Sequence, residues 1–215
     1  MQQQVFNQTI CVYDFDDYAQ LETKVAMDNI LDELFALPEV INKENVDDAQ
    51  GGRAFSTVHL SQSLVIPEIL NFKQTRLGVW ILRNLYQSAQ ALGLDKTRNI
   101  KKMKYHRTWV NRMTKGCDAV AHRHAGEDWS IPHLVAIFYT QVPDESADLI
   151  FIDDDNFELM RGASAKEYPL DKQYKIASKA GRLVCHDAKA FHATSVHNSD
   201  LPRSCIIIEV GFPPR

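Results

Sequence analysis

Gly181-Arg182-Leu183-Val184-Cys185-His186, Phe191-His192-Ala193-Thr194-Ser195-Val196-His197 and Ser204-Cys205-Ile206-Ile207-Ile208-Glu209-Val210 are three short runs rich in β-branched and apolar residues, set apart by polar, turn-forming stretches. Each has the length of a strand. Working back along the chain, Tyr105 to Val110, Cys117 to His124, His133 to Val142, Asp148 to Asp153 and Gln173 to Ser178 share that texture. Eight short strands with turn signals between them predict a β-sandwich or jelly roll after about residue 102.

The first hundred residues read differently. Between Asp17 and Leu37, apolar Leu21, Val25, Met27, Ile30, Leu31, Leu34 and Phe35 recur at helical spacing, with Asp16 or Asp17 available as a cap and Pro38 as a stop. Between Thr75 and Leu92 the pattern repeats through Leu77, Trp80, Ile81, Leu85, Tyr86 and Ala89, and Gly93 ends it. Residues 48–52 read as a loop and Ala54 to Leu60 as a short strand. The expected architecture is α+β and mainly β: a helical N-terminal cover (1–102) packed on one sheet of a jelly-roll core (103–215), in a single domain.

Composition narrows the function classes. With 45% apolar and 24% charged residues the chain is of ordinary globular type, and 24 Lys and Arg against 28 Asp and Glu provide no basic field for nucleic acid. No apolar run approaches the 18 or so residues that span a bilayer, and Met1-Gln2-Gln3-Gln4 has no basic residue before Lys24. A soluble, cytoplasmic protein is expected. Cys11, Cys117, Cys185 and Cys205 form no C-x-x-C pair and read as reduced thiols.

Six of the eight histidines, His122, His124, His133, His186, His192 and His197, fall in the strand-rich half. Two residues apart in a strand, His122 and His124 would share a face and offer two imidazoles to one ion. His192 on a distant strand could complete a facial set that leaves the other side of the metal open, as redox iron chemistry requires. Arg203 follows at the start of the last strand, placed to hold a dianionic co-substrate by its far carboxylate.

The order His122-Arg123-His124, His192, Arg203 resembles that of the Fe(II)/2-oxoglutarate-dependent dioxygenases, and the likeness covers about residues 103–212. Trp109-Val110-Asn111 before the histidine pair and Ile137-Phe138-Tyr139 after it are similar to the prolyl-hydroxylase-like 2OG-Fe(II) oxygenases. The resemblance implies a double-stranded β-helix core, Fe(II) and 2-oxoglutarate as cofactors, His122 and His192 as iron ligands, Arg203 on the 2-oxoglutarate carboxylate, and Tyr139 beside it. It further implies hydroxylation of an unactivated C–H by O2 with release of succinate and CO2, on an amino-acid, peptidyl or small-metabolite substrate.

This chain departs from the family pattern at His124, where a carboxylate is usual. Either His124 is itself the second ligand, or Glu127 or Asp128 from the following loop replaces it. Trp129 and Asn111 are candidates for the substrate pocket. His186 reads as a structural, hydrogen-bonded histidine, and His133 and His197 as strand-edge residues. Two further readings stay open: a three-histidine cupin-like metal protein that does not use 2-oxoglutarate, and an interaction protein with a degenerate site.

Overall fold

Alternation along the strands of the C-terminal half sorts their side chains onto two faces, and both faces are buried. The computed structural model describes residues 1–41, 54–58, 74–124, 132–153 and 163–215. In chain order its main elements are β1 (Gln2–Val5), β2 (Gln8–Asp14), α1 (Glu22–Ala36), a single turn α2 (Pro38–Ile41), β3 (Ala54–Ser56), α3 (Arg76–Ala91), β4 (Lys104–Met113), β5 (Leu134–Gln141), β6 (Leu149–Ile152), β7 (Gln173–Ile176), β8 (Arg182–Asp187), β9 (His192–Thr194) and β10 (Arg203–Gly211). Among the described residues, strands β1-β2-β8-β5-β10-β4-β3 form one antiparallel sheet and β7-β6-β9 a second.

One face of the larger sheet carries Ile206, Ile208 and Val210 of β10, Leu134, Ala136 and Phe138 of β5, and Leu183 and Cys185 of β8. These pack against Met27, Leu31 and Leu34 of α1 and Leu77, Ile81 and Leu85 of α3. The opposite face presents Cys205, Ile207, Val135, Ile137, Tyr139 and Val184 to Leu149, Phe151 and Ile176 of the smaller sheet. This is the packing of a double-stranded β-helix with helices on one sheet, as expected.

Local sequence explains the helix ends. Thr75 caps α3 by accepting a hydrogen bond from the Gly78 amide at 3.0 Å. The first helix begins later than its periodicity suggests: a 3-10 turn, Tyr18–Gln20, precedes it, and neither Asp16 nor Asp17 caps it. Asp17 instead pairs with Arg76 at 3.1 Å. Tyr18 in that turn is buried against the entrance of β8. Gly181 admits it there: at φ +81°, a Cβ on this residue would meet Tyr18 Cβ at 2.6 Å.

Three expectations need correction. The helical cover does not extend to the N-terminus, because residues 1–14 hold two strands, and β2 pairs with β8 through Ile10↔His186, Cys11↔Cys185 and Val12↔Val184. The run Thr9-Ile10-Cys11-Val12-Tyr13 has the β-branched and aromatic bias of a strand, and its addition covers what would be an open edge of β8. Second, residues 117–124 are not a regular strand. They follow β9 through separated bonds, Thr194 amide to Ala119 carbonyl (3.0 Å) and a reciprocal His122–His192 bridge (2.9 and 3.0 Å), because the chain detours between them to reach Ala163 and Ser164. Third, the strand near residue 54 ends at Ser56; residues 59–60 and the loop at 48–52 lie outside the described residues. Among the described residues no helix is long and apolar enough to cross a membrane.

Candidate metal centre

The His122–His192 bridge sets two imidazoles side by side between the sheets, their ring centroids 4.5 Å apart. A backbone bond from the His124 amide to the Ala188 carbonyl (3.0 Å) brings the third ring alongside, stacked on His192 at 5.2 Å with planes only 4° apart. One ring nitrogen from each of the three lies within 4.8 Å of the others. A regular strand is therefore not needed to bring His122 and His124 together.

Their hydrogen bonds decide which nitrogens face one another. His122 Nδ1 lies 2.7 Å from the Val120 carbonyl and His192 Nδ1 3.0 Å from the Ala190 carbonyl; His124 Nδ1 lies 2.7 Å from Glu209 Oε1. All three partners accept, so each Nδ1 is the donor, and the neutral form of such a ring has its lone pair on Nε2. Burial, followed by the fields of His122, His186 and His124, drives the His192 pKa well below the usual histidine value. Three imidazoles that can each offer a ring nitrogen to a common centre make a donor set suited to a borderline transition metal.

The three histidines line a cavity of about 60 Å³ together with Trp109, Asn111, Ile137 and Arg203. Arg203 is 2% exposed. Its Nη1 approaches Met113 Sδ at 3.1 Å, its guanidinium carbon lies 4.8 Å from the Tyr139 ring centroid, and its Nε has no hydrogen-bond partner. The Tyr139 hydroxyl and Asn111 Oδ1 are likewise buried without partners. Burial pushes the Tyr139 hydroxyl up to about 12 despite the opposing field of Arg203, so it remains a neutral donor. A buried cation and a phenol with open hydrogen-bonding capacity fit the carboxylate end of a small anion.

Of the residues singled out from sequence, His122, His124, His192, Arg203 and Asn111 thus line one cavity and Tyr139 lies against Arg203, whereas Glu127, Asp128 and Trp129 lie outside the described residues. One neighbour escaped the sequence reading. Glu209 is fully buried beside His124, and its signal was an acid following the apolar run Cys205-Ile206-Ile207-Ile208 of β10. His186, read as a structural hydrogen-bonding residue, is fully buried; its ring lies 4.7 Å from His192, its Nδ1 bonds the Asp187 carbonyl at 2.8 Å, and its Nε2 has no partner. It stands opposite Val135, which faces the same space between the sheets.

Burial lowers the His186 pKa from 6.5 to about 3. For His186 and His192 the folded-state pKa is depressed, so their contribution to stability is complete above 6.5 and declines as pH falls towards the folded values. Metal-free protein should therefore lose up to about 1.4 kcal/mol per pH unit for each ring below about pH 6.5. Urea denaturation at pH 7 and pH 5 measures this; equal midpoints would mean that the rings already titrate normally in the folded state.

No curated protein matches the chain in sequence. Residues 107–209 match the family model described as "Putative 2OG-Fe(II) oxygenase". Among solved structures, the chain is similar to the non-heme epimerase SnoN of nogalamycin biosynthesis, in complex with Fe3+, alpha ketoglutarate and nogalamycin RO (11% identity over 94% of this chain and 78% of that one, TM-score 0.58). It is similar to HygX from Streptomyces hygroscopicus with nickel and 2-oxoglutarate bound (13%, 95% and 82%, TM-score 0.56). A Pseudomonas putida prolyl-4-hydroxylase shares the fold over 96% of this chain and 92% of its own, at 12% identity and TM-score 0.53. The segment 107–209, which contains the three histidines, Tyr139 and Arg203, belongs to the 2OG-Fe(II) oxygenase family.

Proposed function

We propose that the protein is an Fe(II)- and 2-oxoglutarate-dependent oxygenase that hydroxylates a C–H bond of an amino-acid, peptidyl or small-metabolite substrate. One observation carries the reading: three imidazoles, each with a ring nitrogen within 4.8 Å of the others, line the same cavity as a buried arginine with an unused Nε. His122, His124 and His192 would hold the iron. Arg203 and Tyr139 would bind the remote carboxylate of 2-oxoglutarate, and Trp109 and Ile137 would exclude water beside it. Together the bound iron and 2-oxoglutarate would supply the oxidising chemistry. Iron and 2-oxoglutarate accompany the related SnoN fold, and nickel and 2-oxoglutarate that of HygX, which supports the pairing.

A second reading rests on the donor set, which has no carboxylate among its three side chains: a cupin-like metal protein that does not use 2-oxoglutarate. Anaerobic titration with Fe(II) and then 2-oxoglutarate separates the two. The oxygenase reading expects the weak visible metal-to-ligand charge-transfer band of a chelated keto acid. Iron bound without that band would favour the cupin-like reading, and no iron bound would defeat both.

A further inference from the structure

His122 and His192 donate to neutral backbone carbonyls, but His124 donates to a carboxylate, and this asymmetry has a built origin. Glu209 stands directly opposite Arg107 in the β10–β4 register. Arg107 holds it with a fork, Nε to Oε2 at 2.7 Å and Nη2 to Oε1 at 2.9 Å, fixing the plane of the carboxylate. Oε1 then accepts the His124 Nδ1 proton at 2.7 Å. Trp109 flanks the group, its ring 5.4 Å from the Arg107 guanidinium and 5.7 Å from the His124 ring.

We infer that Glu209, anchored by Arg107, is a positioning residue that aims His124 Nε2 at the metal and lends the site, through that ring, the negative charge its three imidazoles lack. The inference rests on the iron-binding reading above. An ion pair serving stability alone has no need of this placement. The Arg107 side chain is 40% exposed and could be solvated, while Glu209 has 0% exposure, and burying a carboxylate is unfavourable unless its oxygens are used. Both are used, and one of them on His124. A carboxylate on the far nitrogen of a ligating histidine fixes the tautomer and makes the ring a stronger donor, which typically changes metal affinity by about 10- to 100-fold.

The test measures Fe(II) affinity by anaerobic competition with a chelator, and the Fe(III)/Fe(II) potential by spectroelectrochemistry, in the whole protein. Glu209→Gln keeps the size and removes the charge. It should weaken Fe(II) binding about 10- to 100-fold and shift the potential positive, since removing the negative charge costs the ferric ion more than the ferrous ion. Arg107→Gln leaves that charge in place and less neutralised, so affinity should fall by less and the potential should shift negative. Opposite signs are the outcome a purely structural pair would not produce. Parent protein that binds iron, with both variants within twofold and no shift of either sign, overturns the inference alone; parent protein that binds no iron overturns the reading beneath it as well. Should Glu209→Gln fail to fold, Arg107→Gln, altered at a partly exposed side chain, decides by the sign of its shift.

Discussion

Replacing His192 with alanine should give a folded protein whose affinity for Fe(II) has dropped by more than about a hundredfold. Structural metal sites of four ligands are worth about 10–16 kcal/mol, or about 3 kcal/mol per ligand, and about 1.4 kcal/mol is a factor of ten. The fold should tolerate the loss, because β9 is held by main-chain bonds to β6 and to His122 that an alanine preserves. Two effects on the metal-free protein then oppose each other. Contacts with the His122, His124 and His186 rings disappear, but so does a buried base that protons compete to charge. The variant should accordingly lose less stability between pH 7 and pH 5 than the parent does. Unchanged iron affinity by chelator competition would remove His192 from the metal set.

Exchanging Arg203 for methionine should separate the two cofactors and also reverse the usual link between function and stability. Fe(II) should bind as before, since none of the three histidines touches the guanidinium in the hydrogen bonds of the site. Affinity for 2-oxoglutarate should fall by at least about a hundredfold, the loss expected when one partner of a buried, charge-assisted contact is removed. Without the anion, however, Arg203 is a desolvated cation whose Nε lacks a partner and whose Nη1 meets a thioether. A methionine of similar length fills that space beside Met113 without a charge to solvate. The metal-free variant should therefore melt at the same temperature as the parent or higher. A large fall in melting temperature would mean that Arg203 is structural, and retained 2-oxoglutarate binding would move the carboxylate site elsewhere. Arg203→Lys should restore part of the affinity, limited by the loss of the planar fork.

Much of this was legible in the sequence, for reasons particular to each element. Strands β5 and β10 announce themselves because apolar, β-branched runs buried on both faces have few alternatives. The helix from Arg76 shows its period and its cap. By contrast, β1 is four residues long with three glutamines, and its strand character comes from pairing with β2, a tertiary fact. The histidine pair was found through the wrong intermediate: strand periodicity placed both rings on one face, whereas main-chain bonds to His192 and Ala188 do so in irregular backbone. Glu209 stayed hidden because one acid in an apolar strand carries no partner label; Arg107 and His124 lie 102 and 85 residues away in the chain. Long-range register, which no local pattern encodes, decides that meeting.

The register of β10 against β4 also assigns separate tasks to odd and even positions. Residues 203, 205, 207 and 209 and their neighbours 107, 109, 111 and 113 look into the space between the sheets. Residues 206, 208 and 210, with Val110 beside them, look towards the helices, where Arg112 also reaches Asp32 and the Phe35 ring. Two adjacent strands thus carry interleaved but separable records, one of chemistry and one of packing. Drift at the odd positions can change what the cavity accepts while the helix-facing layer keeps the strands in place, so that new specificities are open to this lineage without rebuilding its scaffold.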